Sequence, residues 1–271
     1  MRFRKKDPTT TVTLRNRAVS NINSKFNKIK KVIRETIVDN QVLTNDVTPD
    51  NKMNYVALRD PEKLDAFMKW LNLQISKEIL SGTASDNWLN VFIGNAYTRG
   101  VKKTRSAIGR KYVELGYLKD TSVFANPAHV DRAELIYTRV YSQLKGVTEA
   151  MEQQISRILA DGIIQGLNPT VIAKNLNDRV DKIGKVRARL IARTEIVSAH
   201  NTATLQEAEI LEKTIGQPIK VVWQTALDGR ERDTHRARNR KVYTQKEALP
   251  LLGEPNCRCS VTPWLEELGE V

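Results

Sequence analysis

Cys257 and Cys259 are the two cysteines of this 271-residue chain, two positions apart in "PNCRCSVTP" at 255–263. Side chains alternate along an extended backbone, so both Sγ atoms point to one side and can address one object. A disulfide between them would close a very small, strained ring. Two readings are open. As thiolates joined by His235 they supply three donors of a tetrahedral zinc site, with Asp233, Asp228 or His200 as the fourth, although the usual zinc pairing has a longer gap between cysteines. As thiols they are small buried residues knitting a strand to a helix, with His235 hydrogen-bonded beside them.

A second chemistry is electrostatic. Lysine and arginine total 44 against 31 acids, a net charge of +13, and such an excess favours a polyanionic partner, nucleic acid above all. The charge is concentrated. From Met1 to Arg34 eleven basic residues, among them Arg2, Arg4, Lys5, Lys6, Lys28, Lys30 and Lys31, face one acid, Asp7. A second cluster, Arg230, Arg232, Arg236, Arg238, Arg240 and Lys241, surrounds His235. It reads equally as a solvated loop with Glu231 and Asp233 as partners or as a contact for DNA or another protein. Two cysteines make no disulfide framework, no run of about 18 apolar residues occurs, and "MRFRKKDPTT" lacks a secretory apolar stretch, so the expectation is a soluble intracellular chain with no membrane partner.

The elements that must position these residues are mostly helices. Val19, Ile22, Phe26, Ile29, Ile33 and Ile37 recur at spacings of three and four, with lysines on the other face. Such a helix docks by its stripe, contacts nucleic acid or lies on a membrane surface. In "DPEKLDAFMKWLNLQISKEIL" Asp60 is the expected N-cap, Pro61 the first helical residue, and Leu64, Phe67, Met68, Leu71, Ile75 and Ile79 one face, ended by Ser81 and Gly82. A following helix is expected to be interrupted or kinked near Gly94 and Gly100. A long one is closed by Gly166, and another opens with Asn168 as cap and Pro169. Trp70, Trp88 and the tyrosines read as core or interface. Beyond Gly184 comes a helix carrying Arg193, Thr194, Glu195 and Asn201. A strand, "IKVVWQTA", follows with Trp223, then a polar turn and a second short strand from "CRCSVTPW". The fold class is mainly α, with an extended helical N-terminal region and a small α+β C-terminal domain. The divisions are 1–50 (basic arm and helix), 51–183 (extended helical region) and 184–271.

"ARTE" at 192–195, "HNTA" at 200–203, "VVWQTALDGRERDTH" at 221–235 and "NCRC" at 256–259 together resemble the phage Mu F-like head morphogenesis family. "GLNPTVIAKNL" at 166–176 is similar to the helical lead-in of that family. The resemblance implies a non-enzymatic minor head protein of a tailed phage, located in the virion and the host cytoplasm. Its implied partners are the portal protein, other capsid or scaffold proteins, and packaged double-stranded DNA bound without sequence preference. No cofactor is required by it. The family usually carries a glycine-rich turn soon after its histidine, whereas this chain reads "RARNRKVYT", so a loop of different shape is expected there.

Arg193 and Glu195, two apart on a helix, do not face each other. Glu195 is expected to meet an arginine of the turn or His235, and Asn201 to bridge to the strand loop. Two other functions stay open. Asp228, Asp233 and His235 resemble the start of a metal-dependent ββα nuclease, though only Asn239 and Asn256 follow as further ligands. A sequence-independent nucleic-acid-binding factor is the other.

Overall fold

The computed structural model describes residues 7–40, 42, 43, 46, 47, 53, 54, 61–109, 112, 118 and 121–265. Asp60, Arg2, Arg4, Lys5 and Lys6 lie outside these residues. Helices dominate: α1 (Val12–Arg34), α2 (Pro61–Leu80), α3 (Asn90–Ile108), α4 (Pro127–Ile164), α5 (Pro169–Arg179) and α6 (Val186–Ile215). The strands are short: β1 (Asp46–Val47) pairs antiparallel with β2 (Met53–Asn54), while β3 (Lys220–Gln224), β4 (Val242–Tyr243) and β5 (Ser260–Trp264) form a separate sheet. Two single-turn helices, α7 (Asp233–Arg236) and α8 (Gln245–Ala248), sit among these last strands in sequence. The fold is thus mainly α with a small antiparallel sheet near the C-terminus, as the apolar periodicities imply.

The chain folds as two compact units, each assembled from separated stretches of sequence. One unit comprises Val19–Asn87 and Tyr141–Arg189. Here Ile22, Phe26, Ile29, Ile33 and Ile37 are buried, so the chain covers this apolar stripe itself. Phe67, Met68, Leu71, Ile75 and Ile79 of α2 are also buried. α4 closes as the sequence suggests: Gly166 takes φ +64°, its N–H donates to the Ile163 carbonyl, and the Leu167 N–H donates to Gly162. Those two bonds satisfy carbonyls that would otherwise be orphaned at the helix end. Asn168 then caps α5 by accepting from the Thr170 N–H, with Pro169 at the first helical position. The helical path continues through a wider turn, Val180–Lys185, into α6. Gly184 lies within that turn because a Cβ there would strike Met151 Sδ and Phe26; its role is close packing rather than termination.

The other unit comprises Met1–Ala18, Trp88–Val140 and Leu190–Val271. No interruption occurs at Gly94 or Gly100, since α3 runs unbroken from Asn90 to Ile108. Gly100 serves a close helix crossing instead: a Cβ there would run into the His200 carbonyl of α6 and lie 2.9 Å from Ala203 Cβ. A buried polar set ties the same helices. Glu207 of α6 accepts from Arg105 Nε of α3 at 2.8 Å and pairs with His129 Nε2 of α4 at 2.7 Å, and His129 Nδ1 meets Tyr97 OH at 2.9 Å. The sheet order is β4-β3-β5, all antiparallel, with Trp223 opposite Val261 and Val221 opposite both Tyr243 and Pro263. Pro263, which lacks a donor, is placed on an edge strand. Leu205 of α6 packs in one cluster with Val221, Trp223, Ala248, Cys257, Cys259 and Val261, so both cysteines belong to this core.

Candidate functional site

β3, α7, and the loop entering β5 meet beside α6. Arg193, Thr194 and Glu195 are successive residues on α6, so they leave the helix about 100° apart and do three different things. Arg193 is exposed and lines a cavity. Thr194 Oγ1 accepts from the Asn256 N–H at 3.1 Å, holding the cysteine loop against the helix. Glu195 is buried and accepts from Arg139 Nη2 of α4 at 2.6 Å. The sequence points to an arginine of the turn or His235 for that role; Arg139 lies 56 residues away in sequence and carries no local signal. Asn201 does bridge to the strand loop: its Nδ2 donates to the Cys259 carbonyl at 2.9 Å.

Trp223 is fully buried, with the rings of His235 and Tyr243 edge-on at 5.9 Å and 6.3 Å and the Arg238 guanidinium 5.4 Å from its centroid. Thr225 Oγ1 donates to the His235 carbonyl, and the Thr225 N–H donates to Asn239 Oδ1, both at 2.9 Å. These bonds fix the single turn of α7 on β3. After it, Arg240 takes φ +66°, the left-handed position that glycine adopts without steric cost. Its N–H still donates to the Trp223 carbonyl at 2.8 Å.

The histidine and cysteines come together. Cys257 and Cys259 are unbridged and buried, just ahead of β5 rather than within it. His235 Nδ1 lies 3.3 Å from Cys259 Sγ and 3.4 Å from Cys257 Sγ. Its Nε2 faces Glu254 Oε1 at 3.0 Å, and Glu254 Oε2 is 3.2 Å from Arg232 Nη1. The hydrogen bond from the Cys259 thiol, aided by the Cys259 N–H and by His235, lowers the Cys257 thiol against the opposing effect of burial, whereas that same bond and burial push Cys259 up. None of the three proposed fourth ligands joins the set found among the described residues. Asp233 is 99% exposed near Arg236, Asp228 is held by Arg258 and Arg230, and His200 sits against Asn201 Oδ1 at 3.4 Å. Sequence reasoning misses Glu254, although it stands three residues before Cys257 and its carbonyl accepts from the Cys257 N–H. A nuclease of the ββα kind needs its histidine presented to water; here His235 is 2% exposed with both ring nitrogens engaged.

Positive charge gathers beside this cluster. A cavity of about 530 Å³ is lined by Arg15, Arg193, Arg230 and Arg258 against Asp7 and Asp228. Arg258 holds the Asp228 carboxyl well below the usual range, with Arg230 assisting. Arg15 pairs with Asp7 at 3.3 Å, and its Nε is buried with no hydrogen-bond partner among the described residues. Of the other sequence-nominated cations, Arg236 Nε meets Glu231 at 3.3 Å and Arg238 covers Trp223. Lys30, Lys31 and Lys28 lie 2.9 Å from Asp181, 3.4 Å from Glu35 and 3.8 Å from Glu78. Exposed pairs like the last two are weak and readily exchanged for another anion.

Residues 153–262, which carry this helix, strand, turn and cysteine loop, match the family described as Phage Mu protein F like protein. Over these residues the chain is similar to that family. An uncharacterized protein of Methanocaldococcus jannaschii is 30% identical over 120 residues, which is 43% of this chain and 18% of that protein. The chain therefore spans less than a fifth of the length of that relative. No solved structure matches it. Among the described residues no helix is long and apolar enough to cross a membrane.

Proposed function

We propose that the chain is a minor head protein of a tailed phage. In this reading it is a virion component that takes part in prohead assembly at the portal vertex, contacts packaged double-stranded DNA without reading its sequence, and performs no catalysis. The Mu F-like match over residues 153–262 carries the reading. The structure supports it by giving the matched motifs one joint role: Thr194, Asn201, Trp223, His235 and the cysteines interlock and hold helix, strand, turn and cysteine loop together. The arginine-lined cavity supports the DNA contact, because guanidinium groups suit phosphate and phosphate contacts position a protein without specifying bases.

Two measurements test it. Cryo-electron microscopy of assembled heads should show this chain at the portal vertex; heads lacking it there contradict the reading. Binding to unrelated duplexes should weaken with salt along one common slope. Replacing Arg193 and Arg230 by alanine should reduce the magnitude of that slope by about 1–2. Marked preference for one sequence would favour a nucleic-acid-binding regulator instead.

A further inference from the structure

We propose that His235, Cys257 and Cys259 bind one zinc ion through Nδ1 and the two Sγ atoms, with Glu254 orienting the imidazole and the fourth position opening onto a small polar cavity. Spacing is the first argument. Tetrahedral zinc with Zn–N of about 2.0 Å and Zn–S of about 2.3 Å separates a nitrogen from a sulfur ligand by about 3.5 Å. The two N···S distances here are 3.3 Å and 3.4 Å, and all three donor atoms lie within 4.8 Å of one another. The ligands need little rearrangement to take up the ion.

Donor chemistry is the second. Two sulfurs and an imidazole nitrogen are a soft to borderline set that selects zinc and disfavours magnesium or calcium. Two thiolates also neutralise a divalent cation, so the filled site carries no net charge into the core around Trp223 and Val261.

The outer partner is the third, and it is independent of the ligands. A histidine that binds metal through one nitrogen commonly gives its other N–H to a carboxylate, which fixes ring and tautomer. Glu254 stands 3.0 Å from Nε2, and Arg232 in turn holds Glu254 at 3.2 Å. The Cys259 N–H points at Cys257 Sγ at 3.4 Å, as a donor does toward a thiolate. Beside the three ligands lies a cavity of about 180 Å³ that Arg230, Glu231, Arg232 and Pro255 also line. It has room for a water as fourth ligand. Such an ion would clasp α7 to the loop entering β5 across 24 residues of chain, a fastening role rather than a catalytic one.

The test uses the full chain without an affinity tag, loaded with zinc and dialysed. Elemental analysis should find one zinc per chain. Cobalt substitution should give intense visible bands of a tetrahedral centre together with near-ultraviolet thiolate-to-cobalt charge transfer. Glu254→Gln, which removes no ligand, should weaken zinc affinity about 10–100-fold, with unchanged circular dichroism. A chain that takes up no stoichiometric zinc, that prefers iron or copper at this site, or that keeps its zinc when both cysteines are serine overturns the proposal. Because metal content and the cobalt spectrum are read on the unaltered chain, a variant that fails to fold does not obscure the result. A head lacking this protein at its portal would leave the zinc reading untouched.

Discussion

His200 shows how one side chain can set a condition on the fold. It is completely buried, and burial, together with the positive charges of Lys103 and Arg99, lowers it to about 4; Asn201 and Asp7 oppose that shift. The native state therefore excludes its proton, while the unfolded chain binds one below the ordinary value of about 6.5. Stability from this residue is fully present above that value and is lost as pH falls from about 6.5 toward 4, by about 3 kcal/mol in all. Denaturant titrations at several pH values should show that decline, and His200→Gln should flatten it. Parallel declines in parent and variant would assign the acid sensitivity to other groups. At this scale the sequence is informative where partners are local or share a motif: Asn201, His235, Cys257 and Cys259 meet as their types suggest. Arg139, Arg15 and Arg258 are not legible as partners, because an arginine carries no sign of which distant carboxylate it will reach.

Helices whose apolar residues recur on one face are legible in type and nearly in extent, as α2 and the cap of α5 illustrate. α6 is harder. Ala192, Ile196, Val197, Ala199, His200, Asn201, Ala203 and Thr204 are all buried, so no single stripe marks its inner side. The glycine that crosses it is ambiguous in sequence for a physical reason: a glycine inside a helix signals either a bend or a near neighbour, and only the neighbour distinguishes them. Gly100 has the neighbour. Replacing it with alanine sets a methyl group against the His200 carbonyl, which belongs to a helical backbone and cannot swing aside. Overpacking of this kind costs about 1–3 kcal/mol, and a rigid obstacle favours the upper end. Gly100→Ala should lower the urea midpoint accordingly. Gly146, whose added Cβ would meet nothing within 4 Å, is the matched control; equal effects at both sites would mean the crossing is not close. β4 escapes a sequence reading because two residues are too short to display alternation.

On the scale of the molecule, the Mu F-like segment is not the same thing as a folding unit. Residues 153–262 omit Arg139, which meets Glu195, and Arg105 and His129, which meet Glu207. They also omit Gly100 and the rest of α3. Cut free, the segment would keep Glu195 and Glu207 without these partners and expose the α6 surface that α3 covers. Losing one partner of a buried ion pair costs about 3–5 kcal/mol, comparable with the whole stability of many domains. The isolated segment should therefore show no cooperative thermal transition and little amide dispersion by NMR. A sharp transition and a dispersed spectrum would show that it folds alone.

The interleaving of the units also has a temporal side. Pro8 and Thr10 reach their donors on α3, Lys103 and Arg99, at 3.1 Å and 2.6 Å, while the remaining stretch of that same unit begins only at Leu190. During synthesis the ribosome must release the chain well beyond Leu190 before residues near Pro8 find all their neighbours. Until then α3 presents to solvent the groove that α6 will fill, and a chaperone has that interval in which to bind it.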